Sequence, residues 1–178
     1  KHGVVADEGY FDFVREALPS LLAADGWAGE SMTELVAVSA RIKAEVVSRD
    51  ERESGLRKVL NCGHTLGHAI EAASGYALLH GEAVAIGMAL ESALAERAGV
   101  AAAGTADRVR EAVAAAGLPA TRPRELDVEV ILGATRADKK ARRGTVEYAL
   151  PTRVGEMAGA DAGWAVRVGD ELVREVLA

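Results

Sequence analysis

Asn61-Cys62-Gly63-His64-Thr65-Leu66-Gly67-His68, with His80-Gly81-Glu82-Ala83-Val84 following after a gap, is the stretch that decides how this chain is read. Three of its four histidines fall there. His64 and His68 stand at i and i+4, so a helix would present both rings on one face, a turn apart. Gly75 marks a turn, after which His80 opens a second apolar helical segment. Imidazoles from two helices can converge on one ion, and neutral imidazole is the commonest protein ligand for a metal. A solitary histidine is more often a surface or satisfied core residue. Here Asn61, Gly63, Gly67, Gly81 and Glu82 surround the rings with small and polar groups, which favours a site. Cys62 lies beside His64 and could ligate the same ion, but a lone thiol in an apolar slot is the preferred reading.

On both sides of this window apolar residues recur with a helical period. Residues 8–24 place Phe11, Val14, Leu18 and Leu22 on one face, with Pro19 kinking or splitting the segment. Ser31 and Glu34 predict a capping box for a helix running to about Arg49, with Leu35, Val38, Ile42 and Val46 facing inward. A charged link, residues 49–55, leads into a histidine-bearing helix predicted over roughly residues 56–74. Residues 81–98 are apolar on several faces and predict the central buried helix. Another helix spans about residues 106–116, stopped by Gly117 and Pro119, and Asp127 caps a short one to about Thr135. Beyond Asp138-Lys139-Lys140, residues 145–150 alternate as a strand would, residues 164–168 offer a partner, and Asp170 caps a last helix to Leu177. The expected fold class is all-α, a helical bundle forming one domain over residues 1–178, with at most a small β-hairpin near residues 145–168.

The chain has 178 residues, 49% of them apolar and only 4% aromatic, so its core is expected to be aliphatic, with alanines letting helices approach closely. A net charge of −6 argues against a nucleic-acid partner, which needs a concentrated positive surface. One cysteine excludes an internal disulfide and fits a reducing, cytoplasmic setting. No apolar run suits a bilayer crossing, and no signal-peptide pattern is present. Lys1 to Val5 reads as the middle of a longer sequence, so the chain is expected to be a piece of a larger protein.

Several cations lie beside the apolar helical surface. Lys43 sits in Ile42-Lys43-Ala44-Glu45-Val46-Val47, and Arg57 precedes Asn61 by one helical turn. His64 follows Asn61 at i+3, so Arg57, Asn61, His64 and His68 form one stripe of cation, amide and two imidazoles. Such a stripe suits a small, anionic, polyhydroxylated substrate held against a metal, because arginine pairs bidentately with carboxylate or phosphate and lysine supplies a point charge. The alternative for Lys43 and Arg57 is a solvated helix face, and for Lys139-Lys140 plain surface charge. Asp50, Glu51 and Glu53 could be metal or proton-transfer groups, though a charged link is usually only solvated.

Lys43-Ala44-Glu45-Val46-Val47, Asp50-Glu51-Arg52-Glu53, Gly55-Leu56-Arg57, the run from Leu60 to Glu71, the run from Leu79 to Met88, and Asp138-Lys139-Lys140 together resemble the 3-dehydroquinate synthase family. The resemblance covers the whole chain and implies the family's C-terminal helical domain, without the N-terminal α/β domain that binds NAD. It implies that His64 and His80 are ligands of a catalytic zinc, and that His68 transfers protons beside the substrate hydroxyls. It further implies that Lys43, Arg57, Asn61 and Lys139 hold the substrate, and that Lys1 is another active-site group. The family's third zinc ligand, a glutamate three residues before that lysine, falls outside this chain, and so does any NAD-binding residue.

The implied reaction, a step of the shikimate route to aromatic amino acids, converts 3-deoxy-D-arabino-heptulosonate 7-phosphate to 3-dehydroquinate and phosphate. Zinc polarises a hydroxyl, NAD takes and later returns a hydride, phosphate leaves, and an aldol step closes the ring. A homodimer of full-length chains is implied as well. Sister sugar phosphate cyclases share this fold, but the intact second histidine of Gly-His-x-x-Gly-His and the intact Asp-Lys-Lys favour the dehydroquinate enzyme. A metal-dependent polyol dehydrogenase or a non-catalytic binding domain are the remaining alternatives.

Overall fold

The computed structural model describes residues 1–23, 25, 28–138 and 146–178. Helices dominate: α1 His2–Ala6, α2 Glu8–Leu21, α3 Glu30–Arg49, a 3-10 helix Leu56–Asn61, α4 His64–Ala73, α5 His80–Arg97, α6 Thr105–Ala115, α7 Val128–Asp138 and α8 Asp170–Leu177. The expected all-α class holds. Among the described residues no helix is long and apolar enough to cross a membrane.

α5 is the axis of the molecule. Ten of its eighteen residues are buried, from Ala83 through Ala95, because its sequence offers apolar or small groups around most of the circumference. One core cluster lies on the side of α4, α7 and α8, built on Leu66, Ile70, Ile86, Leu94, Ile131, Leu132, Tyr148, Leu150, Val173 and Leu177. A second gathers Val4, Val5, Phe11, Val46, Val59, Cys62, Ala85, Val109, Val113, Val154 and Met157 beneath α1, α3 and α6. With so few aromatics, close helix approach supplies the packing, and glycines supply the approach. A Cβ on Gly87 would fall within the van der Waals sphere of the Gly63 carbonyl oxygen and 2.8 Å from the Gly67 nitrogen. One on Gly67 would lie 3.0 Å from the Ala83 carbonyl oxygen. α4 and α5 therefore meet backbone against backbone.

Four expectations about elements change. The helix expected over residues 56–74 is broken at Cys62 and Gly63. Gly63 has φ +79°, a left-handed conformation that ends one helix and starts the next at a new angle. The Ser31–Glu34 capping box is absent, because α3 already begins at Glu30 with Gly29 as its N-cap. Asp170 is the first residue of α8, after Gly169, rather than its cap. Pro19 is carried inside α2 near its end without splitting it. Asp127 does cap α7, its Oδ1 accepting from the Glu129 and Val130 amides.

The expected pairing near the end is present and small. β1 (Glu147–Tyr148) runs antiparallel to β4 (Val166–Arg167), with Tyr148 opposite Val166. Between them lies a hairpin the sequence reading lacked, β2 (Pro151–Arg153) with β3 (Glu156–Met157), turning through Gly155 at φ +88°.

Candidate metal centre

The break at Gly63 and the turn after α4 set the chemistry. α4 starts on His64 and carries His68 one turn on, while α5 starts on His80, so the helix crossing brings three imidazoles together. The ring centroids are 5.2 Å apart for His64–His68, 5.6 Å for His64–His80 and 5.6 Å for His68–His80. One ligand nitrogen from each lies within 4.8 Å of the others. His64 and His68 are half-buried and His80 is exposed, so the cluster opens on one side to solvent.

Two rings are held from behind. His64 Nδ1 is 3.1 Å from the Cys62 carbonyl oxygen. His80 Nδ1 is 3.4 Å from Glu71 Oε2. A carbonyl or a carboxylate only accepts, so each Nδ1 bears a proton, and Nε2 is the nitrogen left to ligate an ion. Burial, helped by the Lys1 cation, pushes the His64 pKa down to about 4, which keeps that ring neutral at physiological pH.

The remaining expected site residues divide. Lys1 donates from Nζ to the Leu60 carbonyl oxygen at 3.0 Å, and burial and the Lys43 cation together hold its ammonium below the ordinary lysine range. Lys1 thus lies in one electrostatic neighbourhood with His64 and with Lys43 on α3. Arg57 and Asn61 do not continue a helical stripe into His64, because the chain turns at Gly63. Arg57 donates to the Glu51 carbonyl oxygen at 2.9 Å, and Asn61 Nδ2 to Glu53 Oε1 at 2.9 Å. Lys139 lies outside the described residues.

The acidic link is not simply solvated. Asp50 is buried and accepts from the Ser54, Gly55 and Arg57 amides and from the Ser54 hydroxyl, at 2.8 to 3.0 Å. Those bonds hold its carboxyl well below the usual range and make it the knot of the loop that delivers Arg57. Cys62 is fully buried, and burial and the nearby Glu91 carboxylate push its thiol up, so it is the apolar-slot thiol and no part of the cluster.

Sequence reasoning missed Glu71 and Glu91. Glu71 stands at i+7 from His64 and i+3 from His68, a spacing that puts it on the same helix face. Glu91 gave only one signal, a lone acid in the run Met88-Ala89-Leu90-Glu91-Ser92-Ala93-Leu94.

A family model described as 3-dehydroquinate synthase C-terminal matches residues 1–141. The chain belongs to that family. It is 42% identical over 158 residues to the 3-dehydroquinate synthase of Symbiobacterium thermophilum, covering 88% of this chain and 43% of that protein. It is 38% identical over 178 residues to the 3-dehydroquinate synthase of a Synechocystis species, covering 99% of this chain and 48% of the relative. The chain thus spans somewhat under half the length of these curated relatives. In fold it is similar to 2-epi-5-epi-valiolone synthase of Streptomyces hygroscopicus, a structure with NAD+ and Zn2+ bound, at a TM-score of 0.81 and 23% identity, over 99% of this chain and 47% of that one. It is equally similar to 2-deoxy-scyllo-inosose synthase complexed with carbaglucose-6-phosphate, NAD+ and Co2+, at a TM-score of 0.82 and 22% identity, over 99% of this chain and 48% of that one. The chain thus shares its fold with these two synthases.

Proposed function

We propose that this chain is the metal- and substrate-holding domain of a 3-dehydroquinate synthase, acting on 3-deoxy-D-arabino-heptulosonate 7-phosphate in the cytoplasm as part of a longer, homodimeric protein. The observation that carries the reading is the His64–His68–His80 cluster in a chain of this family, with two Nε2 lone pairs turned free by Cys62 and Glu71. The donor set fits a zinc-class cation: imidazoles from two helices, with His80 on a side open to solvent where a further ligand can enter. His64 and His80 would hold the ion, which when bound supplies Lewis acidity toward a substrate hydroxyl.

His68, one turn along α4 from His64, is then the group placed to take and return a proton at that hydroxyl. Lys1 and Lys43 supply positive charge for the carboxylate and phosphate, and Arg57 and Asn61, delivered by the Asp50 loop, meet the substrate's oxygens. Lys139 joins them in this reading. Holding both ends of a flexible heptulosonate selects one reactive conformer, which is where much of the rate enhancement arises. NAD, in this reading, is held by the part of the protein beyond this chain.

The sister-cyclase alternative is weighed by similarity: relatives at 38–42% identity are dehydroquinate synthases, while the other cyclases match at 22–23%. Phosphate release by the full-length protein, with NAD and zinc present, tests the reading. Release from the heptulosonate phosphate and none from sedoheptulose 7-phosphate or glucose 6-phosphate is the expected result. The reverse preference would move the protein to a sister activity.

A further inference from the structure

The start of α4 cannot cap itself. Its N-cap is Gly63, which has no side chain to accept from first-turn amides. Position 63 has no room for one either: φ is +79°, and a Cβ would lie 2.9 Å from the Val84 carbonyl oxygen. The cap comes from the neighbouring helix. Glu91, fully buried in the middle of α5, accepts from the Gly63 amide through Oε2 at 2.7 Å and from the Leu66 amide through Oε1 at 3.0 Å. Those two amides bracket His64 and Thr65. Gly87, one turn earlier in α5, brings the helices close enough for a glutamate to span them. A carboxylate removed from water is costly unless its oxygens are paired, and the amide-rich, positive end of a helix meets that need.

The capping helix also carries His80, so Glu91 ties the first turn of one imidazole-bearing helix to the body of the other. We propose that Glu91 is a positioning residue of the metal centre: by clamping the first turn of α4 to α5 it fixes the His64 imidazole relative to His80 and so sets the affinity for a divalent cation. This rests on the metal reading above. A purely architectural cap would affect stability alone, whereas a positioning residue also changes the metal.

Titration of the metal-free full-length protein with Co2+, read by visible absorption, separates the two. Glu91→Gln keeps the volume but turns an amide donor toward one of the two N–H groups. It is expected to weaken cobalt binding about tenfold, in the range of indirect ligand-orienting contacts, and to alter the absorption bands. Glu91→Asp keeps the charge but cannot reach both amides, so it should show the same loss in milder form and carries the test if the glutamine variant does not fold. Leu94→Ala, equally buried on α5, should lower the melting temperature yet leave cobalt affinity unchanged. Wild-type cobalt affinity and spectrum in the Glu91 variants, beside lost binding in His64→Ala, would overturn the role of Glu91 alone. Undiminished binding in His64→Ala would bring down the metal reading, and the role of Glu91 with it.

Discussion

Burial and the Lys1 cation hold His64 neutral well below the pH at which an exposed imidazole takes its proton. Its folded-state pKa of about 4 lies under the ordinary value near 6.5, so the unfolded chain binds a proton there that the native chain refuses. Its contribution to stability is therefore intact above about pH 6.5 and is lost as pH falls toward 4. Urea denaturation of the metal-free protein at pH 7, 5.5 and 4.5 should show a steeper loss for the wild type than for His64→Gln, and an NMR titration should place the His64 midpoint near 4. His80→Ala should abolish metal binding in the full-length protein, checked by metal analysis, while leaving the helical circular dichroism in place, because the ring is exposed and outside both core clusters. The histidine trio was legible because a helical spacing and a turn are local facts. Asp50 and Glu91 were not, since what they bind is decided by where a loop closes and how two helices cross.

At the scale of elements, α4 and α5 form the unit that matters, and two of their glycines predict opposite outcomes. Gly87→Ala drives a methyl into the Gly63 and Gly67 backbones, and overpacking of this kind typically costs about 1–3 kcal/mol, the upper end being expected where both obstacles are main chain. Gly81→Ala, in the first turn of α5 with nothing within 4 Å of the new carbon, should instead stabilise by up to about 1 kcal/mol through helix propensity. Urea unfolding midpoints of the two variants check both signs. Helix positions were largely legible from apolar period and stop signals, and α5 was recognisable as the buried axis. The division at Gly63 was not, because glycine, cysteine and histidine in sequence do not announce a left-handed residue that only the neighbouring helix demands. The β2–β3 hairpin escaped for a similar reason: its strands are too short to alternate, and it is held partly by contact with α1, through the Gly155 amide and the Val4 carbonyl.

For the molecule as a whole, two aliphatic clusters sharing α5 predict that the 178-residue chain folds by itself. Circular dichroism should show a helical spectrum and a cooperative melt, while, if the proposed function holds, phosphate release from the heptulosonate phosphate by this chain alone should be undetectable. Exposed ion pairs such as Arg97–Glu175 and Arg174–Glu129 pin α8 but contribute little to that stability. The backbone contact between α4 and α5 has a further consequence. Since hydrocarbon and main chain hold the crossing, the imidazoles are expected to stay assembled without an ion, unlike a zinc finger, where the metal organises the chain. Loading then resembles filling a socket: a chelator should empty the centre through its solvent-facing side at a rate independent of denaturant, and the emptied protein should refill without refolding.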